Sequence, residues 1–250
     1  MGKAKLIKRD GDKPGFSVFP LKYTNDKNKE TSRGYREEGY LPEAFINMLA
    51  LLGWNPGTEK ELFSLEELTA AFSLDRVSKS GAKFSPEKTK WFNQQYLQNR
   101  SNAAVTALFL PILKQHGIAS EPAYINQVVS LVKERAIFVH DLWDLGSFFF
   151  VNPSEFDAKA TKKQWKPFTA EILKNVMTVF QGIEDFSSEN TEKVLKEWIS
   201  SEEIGFGKVM QPLRLSLVGA LKGPHLFDII ALIGKDNTLA RIAKAIDTLG

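Results

Sequence analysis

The chain has 250 residues, 43% of them hydrophobic and 25% charged, with a net charge of +3. That is ordinary core-forming composition with room for one large domain or two to three small ones. Cysteine is absent, which excludes disulfides, a thiolate nucleophile and thiolate metal sites. No apolar run approaches the roughly 20 residues of a membrane span. No apolar stretch follows the basic start Met1-Gly2-Lys3-Ala4-Lys5, so no secretory signal is predicted.

Residues 1–40 are rich in Gly, Lys, Asp and Asn, and carry seven Lys and three Arg against three Asp and three Glu. A basic arm of this kind suits a polyanion, and a solvated surface segment has the same composition. Asp10-Gly11-Asp12 predicts a tight turn, and Phe16, Val18 and Leu21 predict a short strand or extended segment. From residue 41 the periodicity is helical almost throughout. Pro42 opens a helix whose predicted apolar face is Ala44, Phe45, Met48, Leu49 and Leu52, with Gly53 as its stop. Ser64 and Glu67 form a capping box ahead of Leu68, Ala71 and Phe72. Ser85-Pro86 opens a helix bearing Trp91, Phe92, Gln95 and Tyr96. Asn102 is the predicted cap of the next, which carries Val105, Leu108, Phe109 and Ile112 and ends near Gly117. A long helix after Pro122 places Ile125, Val128, Val129, Val132 and Ala136 on one face, and later helices are predicted at 165–180, 191–200, 208–221, 224–233 and 238–249. Composition marks two candidate boundaries, Gln98–Asn102 and Asn152–Lys163. The fold class is therefore mainly α, a set of short-linked helices after a short extended N-terminal segment.

Catalytic constellations are missing. There is no GxxxxGKS/T loop, no GxGxxG after a strand and no GxSxG elbow. The acidic pairs Glu37-Glu38 and Glu202-Glu203 sit in amphipathic surface patterns, where adjacent carboxylates read as solvent-facing charges rather than a catalytic pair. His116, His140 and His225 have no nucleophile or carboxylate partner in sequence and lack zinc-ligand spacing, so no metal site is predicted.

Specific strings run the length of the chain. They are Lys3-Ala4-Lys5-Leu6-Ile7-Lys8-Arg9-Asp10-Gly11-Asp12-Lys13, Gly15-Phe16-Ser17-Val18-Phe19-Pro20-Leu21, Gly39-Tyr40-Leu41-Pro42-Glu43-Ala44 running on to Asn47 and Leu51-Leu52-Gly53-Trp54, Phe63-Ser64-Leu65-Glu66-Glu67-Leu68, Phe72-Ser73-Leu74-Asp75-Arg76-Val77, Lys90-Trp91-Phe92-Asn93 and Gln211-Pro212-Leu213-Arg214, followed by Leu232-Ile233-Gly234-Lys235 and Arg241-Ile242. In this order they resemble bacterial glutamyl-tRNA synthetases, from the KMSKR-type loop to the C-terminus. The resemblance implies a stem-contact region with that loop at 1–99, then two helical-bundle (α-cage) anticodon-binding subdomains at 100–162 and 163–250. It also implies that the HIGH-motif domain, which binds ATP with magnesium and glutamate in the parent enzyme, has no counterpart here: no His-x-Gly-His occurs. The chain alone is thus expected to bind no cofactor and to be inactive.

By the same resemblance Lys5 and Lys8 match the ATP-binding loop, with Lys8 at the position of the phosphate-clamping lysine. Ile7 stands where the family has a small hydroxyl residue, and isoleucine has no hydrogen bond to donate. Arg135 matches the position that inspects the third anticodon base, and Arg214 a second anticodon-contacting position. A guanidinium can bond the Watson–Crick edge of a splayed base or stack on it. Arg9, Lys208 and Lys222 are candidate phosphate contacts, which position RNA without reading it. Gly223-Pro224 resembles a loop close to the anticodon. Trp91, Phe92, Tyr96 and Phe148-Phe149-Phe150 have stacking chemistry, but their helical spacing predicts core. The implied partners are glutamate tRNA and the catalytic domain, with no membrane, in a cytoplasmic monomer. The alternative is a helical protein–protein adaptor or free-standing paralogue without ligase activity.

Overall fold

The computed structural model describes residues 19–26 and 29–250. Among them the only sheet is an antiparallel pair, β1 (Tyr23–Thr24) and β2 (Thr31–Ser32), with Tyr23 opposite Ser32. Residues 16–18 of the predicted extended segment lie outside the described residues. Its last member, Leu21, is exposed rather than packed. Everything after residue 41 is helix and connection, as the sequence predicts: α1 (Pro42–Leu51), α2 (Leu65–Ala71), α3 (Pro86–Asn99), α4 (Asn102–Gln115), α5 (Pro122–Val132), α6 (Asp141–Gly146), α7 (Ala158–Gln164), α8 (Thr169–Gln181), α9 (Ser188–Ser201), α10 (Phe206–Val218), α11 (Leu226–Ile233) and α12 (Lys235–Leu249). No described helix is long and apolar enough to cross a membrane.

The chain forms two compact units, one from residues up to 110 with 133–141, the other from 111–132 with 142–250. In the first, α1 packs on α3 and α2. Trp54, Phe63 and Leu68 form its buried cluster, flanked by Ala50, Leu51 and Ala71. The capping box of α2 is present: Ser64 Oγ accepts from Glu67 N, and Glu67 Oε2 accepts from Ser64 N. The face of α1 differs from its apolar pattern. Asn47 is fully buried, while Leu49 is 47% exposed. The reason is a polar hub. Asn47 Oδ1 accepts from Phe63 N at 2.9 Å and lies 2.6 Å from the Tyr96 hydroxyl, which ties the α1–α2 connection to α3. The buried Asn47 oxygen is satisfied in this way, while its buried Nδ2 has no hydrogen-bond partner among the described residues.

In the second unit α8, α9, α10, α11 and α12 pack on one another, and α7 packs on α10. Their inner stripes are regular. Leu173, Val176 and Phe180 on α8 are fully buried at helical spacing, as are Leu213 and Leu217 on α10 and Ile229 and Ile230 on α11. Each such side chain contributes roughly 1.5–3 kcal/mol by leaving water.

Three local expectations are corrected. The cap of α4 is Ser101, whose Oγ accepts from Ala104 N at 3.2 Å, and Asn102 is already helical. The helix after Pro122 stops at Val132 and tightens into a 3₁₀ turn, Lys133–Arg135. No helix is expected between Asn152 and Lys163, yet α7 begins there, started by Asp157 Oδ1 accepting from Ala160 N at 2.7 Å.

Candidate nucleic-acid interface

The turn that replaces the end of the long helix is held by α3. Gln98 Nε2 donates to the Glu134 carbonyl at 2.6 Å, and Gln94 Nε2 approaches the same oxygen at 3.4 Å. Asn93, 1% exposed, accepts from Leu41 N at 2.8 Å and donates to the Ile137 carbonyl at 2.6 Å. Lys133 Nζ donates to the Arg100 carbonyl at 2.8 Å. On the far side of the turn, Asp141 Oδ2 accepts from Ile137 N and Phe138 N, each at 2.9 Å. The buried methyl of Ala136 anchors the segment from below. Backbone polar groups on both sides of Arg135 are thus satisfied by protein. Arg135 itself is exposed, and no described residue makes a hydrogen bond or ion pair with its guanidinium.

Three residues on, Phe138 and His140 form one wall of an open cleft of about 740 Å³, which Lys22, Arg33, Lys90 and Tyr40 also line together with the carboxylates of Glu37 and Glu38. The Phe138 and His140 rings are stacked with centroids 5.1 Å apart, and Tyr40 meets Phe138 edge-on at 4.9 Å. Burial, reinforced by the negative charge of Glu38, raises the Tyr40 phenol well above its ordinary value and Tyr35 to about 12. Both phenols are therefore neutral donors near neutral pH. Three cations beside two aromatic faces can pair a phosphate and cover a sugar or base.

In the second unit Arg214 projects from α10 onto the loop before α11. Its Nη1 donates to the carbonyls of Lys222 at 3.1 Å and Pro224 at 2.9 Å. Gly223 sits between them at φ 109°, a conformation open to glycine. A Cβ there would stand 3.3 Å from the Phe148 ring and 3.5 Å from Arg214 Nη1. Lys222 Nζ donates to the Asp144 carbonyl at 3.2 Å. Lys208 is exposed, with Nζ 5.6 Å from the Phe168 ring.

The residues singled out in the sequence thus fall into separate settings. Arg135 is exposed on a fixed turn. Arg214 and Lys222 share one loop. Lys208 stands on the first turn of α10. Lys5, Lys8 and Arg9, with Ile7, lie outside the described residues. Phe92, Phe148 and Phe149 are core, and Lys88 Nζ covers the Trp91 ring at 3.7 Å. Sequence reasoning missed the support. Asn93 and Asn47 stood in the recognised strings without a role, and their positions on the inner faces of α3 and α1 were the available signal. Arg241 was missed too. It is 4% exposed, with Nε on Asn152 Oδ1 and Nη1 on the Leu217 carbonyl, each at 2.8 Å. Burial lowers its pKa, partly offset by Tyr124. Its place in the stripe Thr238, Arg241, Ile242, Ala245 predicts that burial.

Comparison with known proteins fits this arrangement. The family model described as anticodon binding domain matches residues 104–246, and the model for the catalytic domain of class I tRNA synthetases (E and Q) matches 25–91. The span 104–246 holds sixteen basic and sixteen acidic residues, so its affinity for a polyanion would have to come from local placement of cations. A glutamate–tRNA ligase of Flavobacterium psychrophilum is 56% identical over 249 residues, and that of Porphyromonas gingivalis 45% identical over 249, each covering 100% of this chain and 49% of the relative. A crystal structure of a glutamate tRNA ligase from Elizabethkingia meningosepticum in complex with its amino acid superposes with a TM-score of 0.95 at 49% identity, over 100% of this chain and 50% of that one. The chain spans about half the length of the relatives it matches. With more than half of its residues inside the anticodon-binding model, the chain belongs to the anticodon binding domain family, and its described fold is the one shared by glutamate tRNA ligases.

Proposed function

We propose that this chain is the tRNA-binding part of a glutamate–tRNA ligase and that it engages the anticodon loop of glutamate tRNA through Arg135 and Arg214. The observation that carries the reading is Arg135: a long, permanently charged fork, exposed and unpaired on a turn whose flanking carbonyls, at Glu134 and Ile137, are held by α3. A donor fork on a rigid support suits the acceptor edge of a base turned out of its stack. Arg9, Lys208 and Lys222 take phosphates. In this reading 1–99 is the stem-contact region and 100–162 and 163–250 are the two anticodon-binding subdomains, in a cytoplasmic monomer. Filter binding of glutamate tRNA to the whole chain tests it. Affinity should fall with rising salt, and Arg135→Ala should weaken it about tenfold, within the 1–3 kcal/mol expected of a lost base contact. Equal, salt-insensitive binding by both proteins would end the proposal.

We further infer that the whole ligase forms glutamyl-adenylate from ATP with magnesium in the half of the relatives that this chain does not span, with Lys5 and Lys8 serving the ATP side. The isolated chain should then give no ATP–pyrophosphate exchange with glutamate. Turnover in that assay would overturn the inference.

A second reading, a helical protein–protein adaptor without ligase activity, draws on the apolar exposure between 65 and 77. Leu65, Phe72 and Val77 are largely exposed and Leu74 is 79% exposed, and exposed apolar side chains clustered in one short stretch suit a protein partner. Salt-insensitive capture of a protein partner, abolished by Leu74→Asp, with no affinity for tRNA would favour it.

A further inference from the structure

The second unit holds an aromatic pair that the two arginines do not use. Helix α4 closes on Gly117, whose backbone is left-handed at φ 71°. Ile118 N donates to the Leu113 carbonyl at 2.9 Å and Gly117 N to the Lys114 carbonyl at 3.0 Å, the two bonds of a glycine-closed helix end. His116 is the residue just inside this closure, so its backbone is fixed. Its ring lies flat on Trp143, with centroids 3.8 Å apart and planes 10° from parallel. Buried ring pairs elsewhere in this unit are tilted or edge-on, as at Phe148–Phe149 and Phe180–Phe186. The His116–Trp143 pair is not core: His116 is exposed and Trp143 half-buried. One imidazole face is covered by the indole, and the opposite face is the one offered to solvent.

Polar contacts link this pair to the candidate cations of the same unit. The carbonyl of Asp144, next in chain to Trp143, accepts from Lys222 Nζ at 3.2 Å. The Lys222 carbonyl in turn accepts from Arg214 Nη1 at 3.1 Å. The stacked pair is thus joined to the Lys222 ammonium through the backbone of residues 143 and 144, and the Arg214 guanidinium holds the Lys222 carbonyl.

We propose that His116 and Trp143 form a stacking subsite for an unpaired nucleobase of a single-stranded RNA loop, with the Lys222 ammonium serving the phosphate beside that base. The proposal rests on the RNA-binding reading above and adds a site to it. Every nucleobase has a π face, so such a platform holds a base without choosing it. It would supply affinity while the arginines supply selection. The two-layer stack extends the π surface outward from the unit and needs no ordering on encounter, because the helix closure has already set it.

The test uses the full chain and two RNA probes: a hairpin with an unpaired loop carrying 5-iodouridine, and a blunt duplex of the same stem. His116→Ala should weaken hairpin binding about tenfold, as loss of one stacked base predicts, and leave duplex binding unchanged. His116→Tyr, which restores a flat ring, should recover most of the loss. The slope of log affinity against log salt should be unaltered by His116→Ala and reduced by about one by Lys222→Ala, because only the lysine releases a counterion. Irradiation should join the loop to a peptide containing His116 or Trp143. If His116→Ala binds the hairpin as the unaltered chain does while Arg214→Ala weakens it, the subsite is wrong and the RNA-binding reading stands. If the unaltered chain binds neither RNA, both fall.

Discussion

Two regions of the molecule present an arginine, and they do so in opposite ways. At Arg135 the surroundings are committed and the side chain is not. Gln98, Asn93 and Asp141 occupy the backbone groups on either side, and the guanidinium is bonded to no described residue. At Arg214 the side chain itself closes the structure, bridging two carbonyls of the loop it would help to display. The same residue type can thus be spent on a ligand or on the fold, and the neighbours decide which. Substitution at the first should touch binding alone. Substitution at the second should touch binding and stability together.

The largest effect expected from this contrast is at neither arginine. Asn93→Ala removes the amide that joins the start of α1 to the Ile137 carbonyl and leaves a buried N–H and a half-buried C=O unpaired, a cost of about 3 kcal/mol. Urea unfolding measures it, and a loss under about 1 kcal/mol would mean the turn is not held as described. Arg214→Ala comes next, at about 2 kcal/mol for two charge-assisted bonds to carbonyls. An unfolding midpoint equal to that of the unaltered chain would erase the contrast.

Alkaline pH should separate the two units. Tyr35, Tyr40 and Tyr96 in the first unit, and Tyr124 in the second, have raised pKa values, chiefly from burial. A phenol that holds its proton more tightly when folded adds stability below its unfolded value near 10. That stability disappears as pH climbs toward the folded value, about 12 for Tyr35. The first unit, with three of the four, should therefore loosen earlier between those limits. Ultraviolet titration of the phenolates alongside amide exchange would show it, and equal loosening of the two units would contradict it. The smallest expected effect is Arg135→Ala, under about 0.5 kcal/mol on unfolding because nothing described depends on that side chain. A larger loss would mean that its guanidinium is engaged after all.

Helix signals carried by adjacent residues were legible in the sequence. The Ser64–Glu67 box, the Ser85-Pro86 start and the closure at Gly117 need only near neighbours, and they stand where expected. What was not legible depends on distant ones. The stop at Val132 is reinforced by glutamines some thirty-five residues earlier in the chain. Asn47 reads as a polar break in an apolar face until Phe63 and Tyr96 are seen around it. Pattern alone gave α4 the wrong cap, since Ser101 and Asn102 are equally good candidates in sequence. The two arginines were named by resemblance. Their opposite settings depend on atoms as much as 44 residues apart in the chain and were invisible to any local reading.

The pinned turn at Lys133–Arg135 has a kinetic corollary. With the backbone held, the motion left to the Arg135 guanidinium, the proposed binding group, is rotation about its own side-chain bonds, which relaxes in picoseconds to nanoseconds at an exposed site. Encounter would meet a surface that is already assembled, so losing the guanidinium should leave the rate of arrival nearly unchanged and shorten the lifetime of the complex.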